Sequence, residues 1–477
     1  QPAIGDFRWT FGELDRLSDE LARGLIAHGF TAGDRIGVWA PNHPNWIFLQ
    51  YAIAKAGMVL VAINPLYRER ELAYALKASQ VVAVFHGGQV GGASPAHMLA
   101  NIADETPLLR ARFDLTCDLE RIACAARPDT RLPDVAADDV CMIQYTSGTT
   151  GIPKGVVRPT AGHLVSLKWS MKSIYDVDPG DVYWAASDVG WVVGHSYIVY
   201  APLFHGCTSI LYEGKPVGTP DAGAFWRVIS EHQVNCMFTA PTAIRAIKKE
   251  DPHAQLIKKY NLDCLRSQFL AGERCDPDTL EWTEKILNIP VIDHWWQTET
   301  GWPIASNCLG IEQMDIKPGS PTCAVPGWKI DVLDEFSKPV PVGEIGAISL
   351  KLPLPPGSLP TLWQNDERFV DSYLATYPGY YETGDAGIID EDGYLHVLSR
   401  TDDIINVAGH RLSTGSMEQV LAEHRDVAEC AVLGVNDQLK GQIPLGLIVL
   451  KDGTNTEHSE IIEDVIKMVR AEIGPVA

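Results

Sequence analysis

Amphipathic stretches and short apolar runs alternate along the chain, beginning with a helix signal. Thr10–Glu13 has the arrangement of a capping box, in which a Thr and a Glu three residues later each bond the other's backbone N–H. Four leucines follow at helical spacing on one face, before a glycine that favours a helix end: Leu14, Leu17, Leu21 and Leu25, then Gly29. The pattern predicts an amphipathic helix that packs through its leucine face.

Apolar runs separated by helical patterns continue after this helix. Arg35–Trp39 and Met58–Val61 are short apolar segments typical of strands, and Trp46–Ala56 between them has the composition of a helix. Such β–α alternation favours parallel strands, because a parallel connection must cross over the sheet. We therefore predict an α/β fold whose large multi-layer N-terminal domain has mostly parallel sheets flanked by helices.

The C-terminal part of the chain predicts a second, smaller α/β domain. Residues 417–424 have a helical pattern, and residues 427–435 have the pattern of a strand. Residues 353–360 are rich in Pro and Gly and predict a loop. A chain of 477 residues also exceeds what one hydrophobic core usually holds.

Composition narrows the functional classes. Hydrophobic residues make up 46% of the chain and charged residues 21%, which is typical of globular proteins. The hydrophobic runs are short and interrupted, so no membrane span is predicted. The net charge of −22 disfavours nucleic acid as a partner, because phosphate backbones require a basic surface.

The cysteines and histidines indicate neither disulfides nor a zinc site. The ten cysteines are scattered without a C-x-x-C pair, which predicts reduced thiols and a cytoplasmic or matrix-like reducing compartment. The fourteen histidines show no metal-ligand spacing, and no G-x-S-x-G motif is present to hold a nucleophilic serine. Zinc enzymes and serine hydrolases are therefore disfavoured.

The segment Tyr145–Gly155, YTSGTTGIPKG, has the composition of a phosphate-binding loop. Its hydroxyl groups and backbone N–H groups can donate to anionic oxygens, its glycines allow close approach, and Lys154 adds a positive charge. An apolar run before the segment predicts a strand that leads into it. A Walker A loop would place Ser or Thr after the lysine, whereas Gly155 follows Lys154 here.

This segment resembles the signature of the adenylate-forming enzymes, which include acyl-CoA synthetases. Further segments resemble the family's other motifs and follow in its order: Ala271–Arg274, Asp293–Gly301, Tyr381–Asp385, Arg400–Asp403 and Asn406–Arg411. Enzymes of this family activate a carboxylic acid with ATP and Mg²⁺, and the acyl-CoA synthetases then transfer the acyl group to coenzyme A. The resemblance implies this activity, with ATP, Mg²⁺ and coenzyme A as ligands.

The resemblance also implies residue roles. It assigns catalysis to Lys154, Thr298, Glu299 and Arg411, with Glu299 holding Mg²⁺, and it assigns the two ribose hydroxyls to Asp385. Taken alone, Asp385 would be interpreted as a turn or capping aspartate. The implied ATP and AMP contacts are Thr146, Ser147, Gly148, Thr149, Thr150, Gly272, Glu273, Arg274, Asp293, Trp295, Gln297, Thr298, Asp385, Arg400 and Arg411. Lys154, Arg158, Arg274, Arg400 and Arg411 are the expected positive groups within an acidic protein.

From about residue 140 onward, the chain is similar to propionyl-CoA synthetases, the short-chain branch. In that branch the second tryptophan of the pair, here Trp296, closes the acyl pocket, and Trp191, Val192 and Val193 line it. A large indole leaves room for two or three carbons, so propionate is the expected acid and acetate a weaker substrate. Plain core packing is the alternative interpretation of the two tryptophans.

Two features keep other interpretations open. Residues 1–135 resemble medium- and long-chain fatty acyl-CoA synthetases, in Gly33–Asn42 and Ala62–Arg68, which leaves a medium-chain enzyme as an alternative. The family's C-terminal catalytic lysine is not in the sequence, which ends at Gly474–Ala477. We expect either that the sequence is part of a longer gene product, as Gln1 suggests, or that the chain adenylates poorly. A nucleotide- or acyl-AMP-binding protein without turnover is the remaining alternative.

The family resemblance also predicts the domain boundaries. It assigns residues 1–399 to the large domain, 400–402 to a hinge that includes Asp402, and 403–477 to the small domain. Gly409 matches the glycine that lines the family's pantetheine tunnel, where any side chain would obstruct the thiol.

We expect Gly409→Leu to block thioester formation from preformed propionyl-AMP and coenzyme A while leaving adenylation unchanged. The two half-reactions can be measured separately, as AMP release with coenzyme A and as pyrophosphate exchange without it. Equal loss of both would contradict a role for Gly409 in the tunnel.

Overall fold

The computed structural model describes residues 7–88, 94–146, 153–407, 410–437, 441–451, 453–454 and 456–474. The chain divides into two units. The first comprises Gln1–Glu273, Asp278–Ile316 and Pro355–Phe369, and the second comprises Arg274–Pro277, Lys317–Leu354 and Val370–Ala477. This division groups residues 317–354 and 370–399 with the C-terminal residues. The hinge at residues 400–402 stays a prediction.

The first unit contains a six-stranded sheet in the order β4-β3-β1-β2-β5-β6. All of its strand pairs are parallel except β5 with β6, which form an antiparallel hairpin. The strands are β1 Arg35–Trp39, β2 Val59–Ala62, β3 Ala83–His86, β4 Ala111–Asp114, β5 Val140–Thr146 and β6 Lys154–Pro159.

The same unit contains a second sheet of five strands in the order β11-β10-β9-β7-β8, with every pair parallel. Its strands are β7 Val182–Ala185, β8 Thr208–Ser209, β9 Cys236–Thr239, β10 Ser267–Leu270 and β11 Val291–Asp293. Every residue of β9 and β10 is buried, as expected for parallel strands that are covered by helices on both faces.

The second unit contains two antiparallel sheets of four strands each, in the orders β12-β13-β14-β15 and β17-β16-β19-β18. The strands of the first are β12 Ile330–Leu333, β13 Gly346–Lys351, β14 Tyr380–Ile389 and β15 Leu395–Arg400. The strands of the second are β16 Ile404–Val407, β17 His410–Ser413, β18 Val427–Asp437 and β19 Gly441–Leu450.

Helices occupy most of the connections. The α-helices are α1 Phe11–Ala27, α2 Pro44–Lys55, α3 Glu69–Ala78, α4 Pro95–Asn101, α5 Leu119–Cys124, α6 Thr160–Ser173, α7 Val192–Gly194, α8 Ala201–His205, α9 Ala224–His232, α10 Pro241–Glu250, α11 Pro277–Leu287, α12 Asp366–Tyr373, α13 Thr414–Ala422 and α14 His458–Glu472. A π-helix, His195–Tyr200, joins α7 to α8. The predicted α/β fold with mostly parallel, helix-flanked sheets is confirmed.

The helices that were predicted from the sequence pattern near the two ends of the chain are also present. Helix α1 has the expected capping box: Thr10 Oγ1 accepts from Glu13 N at 3.2 Å, and Glu13 Oε2 accepts from Thr10 N at 2.7 Å. Leu21 and Leu25 on the predicted face are buried. In the second unit, α13 begins three residues before the predicted start at Met417, because Ser413 caps it through a hydrogen bond from Ser416 N.

Within the described residues, no helix combines the length and apolarity needed to cross a bilayer. All ten cysteines lie in the described part of the chain, and no two of them form a disulfide there.

Gly24 makes close packing of α1 possible. A Cβ atom at this position would overlap the backbone carbonyl of Ile122 on α5, whereas one at Gly12 of the same helix would meet nothing. We expect Gly24→Ala to lower the melting temperature, because overpacking costs about 1–3 kcal/mol and outweighs the gain of roughly 0.5–1 kcal/mol in helix propensity.

The matched control is Gly12→Ala, for which we expect an unchanged or slightly raised melting temperature. Equal melting temperatures for the two variants, measured by circular dichroism, would contradict the close packing of α1 on α5.

Candidate active site

Three predicted site segments begin at the same edge of the second sheet. Residues 186–196 follow β7, residues 271–273 follow β10, and residues 294–301 follow β11. These strands are parallel members of one sheet, so their carboxyl ends lie along one edge. Ligands of open α/β sheets bind outside the carboxyl ends of the strands. The fold therefore brings together motifs that are distant in the sequence.

The predicted phosphate loop joins the two strands of the antiparallel hairpin. Thr146, the last residue of β5, pairs with Lys154, the first residue of β6, and both are half-buried. The predicted contacts between them, Ser147, Gly148, Thr149 and Thr150, lie outside the described residues. The hairpin thus places one hydroxyl and one ammonium group at the two ends of the loop.

The segment Gln297–Gly301 forms a tight turn. Thr300 is fully buried, and its hydroxyl accepts from Gln297 N at 3.1 Å. Gly301 N donates to Gln297 O at 3.1 Å. Thr298 and Glu299, the predicted phosphate and Mg²⁺ residues, are half-buried within this turn. The hydrogen bonds between the two ends of the turn therefore fix the backbone of Thr298 and Glu299. The side chains of these two residues stay partly accessible to solvent.

The loop after β7 is anchored to the first sheet by a residue that sequence reasoning missed. Asn42 Oδ1 accepts from Val189 N at 2.8 Å, and Asn42 Nδ2 donates to Ser187 O at 2.9 Å. Asn42 is the last residue of the segment Gly33–Asn42, which was recognised for its resemblance to fatty acyl-CoA synthetases. Its hydrogen-bond partners are distant in the sequence, so no sequence pattern indicated this contact. Its position after β1 explains how it reaches them.

The predicted acyl-pocket residues Trp191, Val192 and Val193 follow this anchor. Trp191 is 47% exposed, and the two valines are half-buried. Gly194 is buried where a Cβ atom would overlap the carbonyl of Asp188, so the loop can close on itself only with glycine at this position.

Trp296 packs against an aromatic wall. Its ring centroid lies 5.4 Å from that of Tyr197 in an edge-to-face arrangement, 6.4 Å from that of Phe238 and 6.5 Å from that of His294. Such pairs add about 0.5–1.5 kcal/mol beyond the area that they bury. Trp295 instead forms an antiparallel bridge with Ala305, to whose carbonyl it donates at 2.9 Å.

The wall behind Trp296 is uncharged at neutral pH. His294 Nδ1 donates to Leu270 O at 2.7 Å, and Tyr175 Oη donates to His294 Nε2 at 3.0 Å. Burial lowers the pKa of His294 to about 4. Burial, with a smaller contribution from the charge of Arg158, lowers the pKa of His195 to about 3. Both imidazoles are neutral, and the partners of His294 fix its tautomer.

The predicted adenine loop after β10 is open to solvent. Gly272 has a φ of +104°, a conformation that favours glycine, and a Cβ atom there would meet nothing. Glu273 is exposed and pairs with Arg245 at 2.5 Å. Asp293, at the end of β11, is buried. Arg274, the last residue of the motif, belongs to the second unit and is half-buried.

The second unit carries the predicted ribose-binding aspartate. Asp385 on β14 is opposite Arg400 on β15, and Arg400 Nη1 donates to Asp385 Oδ1 at 3.1 Å and to Thr383 O at 3.2 Å. Gly384, which lies between Thr383 and Asp385 in the sequence, has a φ of +70°. A Cβ atom at this position would overlap the Arg400 guanidinium. The arginine thus orients a largely buried carboxylate that has two acceptor oxygens.

The remaining predicted residues of this unit are described only in part. Asp402 lies in the short 3₁₀-helix Thr401–Asp403, and Arg411 lies on β17, but only their backbones are described. Gly409 lies outside the described residues.

The residues present fit a Mg²⁺ ion that accompanies a nucleotide. In the described portion of the chain, no three His, Cys, Asp or Glu side chains form a group able to hold a metal. Mg²⁺ is usually bound through one or two carboxylates together with substrate phosphates, rather than by a cage of protein ligands. Glu299, half-buried in its turn, provides one such carboxylate.

Family models match most of the chain. The model described as AMP-binding enzyme matches residues 1–354, and the model described as AMP-binding enzyme C-terminal domain matches residues 416–477. Among solved structures, the anthranilate CoA ligase AuaEII in complex with anthranoyl-AMP has a similar fold, with a TM-score of 0.84 at 22% identity. The match covers 98% of this chain and 86% of that chain.

Named relatives are similar over nearly the whole sequence. The mitochondrial acyl-CoA synthetase short-chain family member 3 of Mus musculus is 46% identical over 98% of this chain and 71% of its own length. The propionate–CoA ligase of Escherichia coli is 37% identical over 98% of this chain and 78% of its own length. Because these matches cover 98% of the chain, they include most of residues 1–135. The chain therefore belongs to the family of AMP-binding, adenylate-forming enzymes, and its relatives among the acyl-CoA synthetases are acid–thiol ligases.

Proposed function

We propose that the protein is an AMP-forming short-chain acyl-CoA synthetase that converts propionate, ATP and coenzyme A into propionyl-CoA, AMP and pyrophosphate. Acyl-CoA synthetases of this family use a carboxylic acid, ATP and coenzyme A. The observation that carries the choice of acid is the packing of Trp296 edge-to-face on Tyr197, which backs the indole with buried aromatic side chains. The names of the mouse and Escherichia coli relatives support the same class of substrate.

The reaction has two displacement steps. In the first, a carboxylate oxygen of the acid attacks the α-phosphorus of ATP, and pyrophosphate leaves. In the second, the coenzyme A thiolate attacks the acyl carbon, and AMP leaves. Negative charge develops on oxygen in both steps, so positioning and electrostatic stabilisation account for most of the catalysis.

Within this scheme, each cluster of site residues has one task. Thr146 and Lys154 flank the phosphate loop and provide a hydroxyl and a positive charge. Thr298 donates to phosphate, and Glu299 binds Mg²⁺. When bound, Mg²⁺ neutralises charge on the phosphate oxygens. Arg411 adds a positive charge to this set.

The remaining residues bind the nucleoside and coenzyme A. Asp385, oriented by Arg400, accepts hydrogen bonds from the two ribose hydroxyls. Gly409 lines the path of the thiol, and Asp402 is the hinge. The proposed contacts of the adenine ring and the adjoining atoms are Gly272, Glu273, Arg274, Asp293, Trp295 and Gln297.

Trp296 sets the length of the acid. An indole that is backed by Tyr197, Phe238 and His294 cannot move away without separating packed aromatic rings. Each methylene that an apolar pocket accepts or rejects changes discrimination by about 1–3 kcal/mol. The neutral imidazole of His294 keeps this wall free of charge, which suits an alkyl chain.

The direct test is AMP formation from ATP by this chain, with and without coenzyme A, across acetate, propionate, butyrate and octanoate. We expect turnover that requires coenzyme A and is highest with propionate. A maximum with octanoate would support a medium-chain enzyme instead. ATP binding without AMP formation from any acid would show that the residues of this chain do not complete the first half-reaction.

We expect Trp296→Ala to shift the preferred acid toward butyrate and longer chains, because removing the indole opens the end of the pocket. The ratio of kcat/KM for butyrate to that for propionate should rise by about tenfold or more, within the range expected for one methylene.

Trp295→Ala is the matched control, since it removes the neighbouring indole, which we propose to contact the nucleotide and not the acid. We expect this variant to raise the KM for ATP. The order of the acids by kcat/KM should stay unchanged. A shift in the preferred acid for Trp295→Ala but not for Trp296→Ala would overturn the assignment of the pocket.

A further inference from the structure

Arg158 connects three segments of the first unit from a fully buried position. It lies on β6, four residues after Lys154, and its relative exposure is 0%. Its Nη1 donates to Glu299 O at 2.8 Å and to Gly357 O at 3.0 Å. The sequence predicted a positive group facing anionic ligands, whereas the structure shows a guanidinium bonded to backbone carbonyls.

The contact with Glu299 fixes the backbone of the residue proposed to bind Mg²⁺. Glu299 O accepts a second hydrogen bond, from Leu359 N at 2.9 Å. Its peptide is therefore held from two sides, by β6 and by residues 355–359. A hydrogen bond from a charged donor contributes more than a neutral one, and losing it leaves a buried carbonyl without that donor.

Two glycines make the close packing of the segments around the guanidinium possible. Gly301 has a φ of +77°, and a Cβ atom there would lie 2.8 Å from Arg158 Cζ and 2.9 Å from Gly357 O. Gly357 has a φ of +91°, and a Cβ atom there would overlap Ser166 Oγ. Both positions exclude side chains through space and through backbone conformation. The shape of the turn is thus fitted to an arginine at position 158.

An indole joins the same two segments at a second point. Trp302 Nε1 donates to Pro356 O at 3.0 Å, and the Trp302 ring packs edge-to-face on Trp169 of α6 at 5.7 Å. The Glu299 turn and residues 355–359 are thereby connected on both sides of Gly301. Movement of one segment would require movement of the other.

The positive charge stays on Arg158 rather than on its neighbours. His163 and His195 are buried close enough for the charge of Arg158 to lower their pKa values further, after the larger effect of burial. Guanidinium remains protonated in proteins under all ordinary conditions. The carbonyl groups of Glu299 and Gly357 therefore accept hydrogen bonds from a permanent cation whose neighbouring imidazoles are neutral.

We propose that Arg158 is a positioning residue for the metal–nucleotide site: it holds the Glu299 peptide so that the Glu299 carboxylate and the Thr298 hydroxyl are set to receive Mg²⁺ and ATP. The proposal rests on the proposed function, because it takes the role of Glu299 from there. Arg158 itself acts only through the backbone of the turn.

The test measures nucleotide binding rather than turnover, by isothermal titration calorimetry of ATP with Mg²⁺, ATP with EDTA, and AMP. In Arg158→Met, which keeps an unbranched side chain but removes the donors, we expect the Mg²⁺-dependent gain in ATP affinity to fall by about tenfold or more. AMP affinity should stay within about twofold, since AMP lacks the phosphates that share the metal. Arg158→Lys keeps a charged donor and should restore part of the gain.

Two further variants make the result decisive. Arg35→Met is the matched control, because Arg35 on β1 also donates to backbone carbonyls, those of Ser79 and Gln80, away from the predicted site segments. It should leave the Mg²⁺-dependent gain unchanged. Glu299→Gln is the reference for loss of the metal ligand, and it should lose the gain as Arg158→Met does.

The outcomes separate the inference from the proposed function. If Glu299→Gln loses the Mg²⁺-dependent gain and Arg158→Met keeps it, Arg158 is not a positioning residue and the proposed function stands. If Glu299→Gln keeps the gain, the proposed role of Glu299 is wrong. If Arg158→Met or Arg35→Met loses AMP binding together with ATP binding, the arginine only supports folding, and for Arg158 this overturns the proposal.

Discussion

The burial of parallel strands on both faces is the constraint from which the first unit follows. Every backbone group of β9 and β10 lies between helical layers, so its hydrogen bonds must be made by neighbouring strands. The side chains on these strands are buried, so accessible polar groups lie where the strands end. The motifs after β7, β10 and β11 occupy that edge, and this explains why residues from about 100 positions of sequence converge there.

The polar residues of the predicted site include neutral buried imidazoles in the first unit and a charged pair in the second. In the first unit, burial keeps His294 and His195 neutral, and hydrogen bonds satisfy His294 at both ring nitrogens. In the second unit, Asp385 and Arg400 form an ion pair whose arginine is 42% exposed. Solvent screens such a pair, so its contribution to stability is small. Its main effect is to orient the carboxylate.

Local patterns in the sequence were sufficient for the elements that depend on local interactions. The capping box of Thr10 and Glu13 and the strand Arg35–Trp39 required only neighbouring residues, and both were predicted. The site segments were recognised from their composition and order. Long-range hydrogen bonds had no such signal: Asn42 reaches Val189 across 147 positions, and Arg158 reaches Glu299 across 141. An arginine beside a glycine-rich loop suggests an anion site until its tertiary partners are known.

The antiparallel pairing of β5 and β6 has a consequence for how this protein can change during evolution. Because the strands pair directly, Thr146 and Lys154 stay opposite each other whatever the length of the loop that joins them. Insertions and deletions in that loop therefore leave its two flanking residues in place. A deletion of one residue inside β6 would instead turn Lys154 to the other face of the sheet.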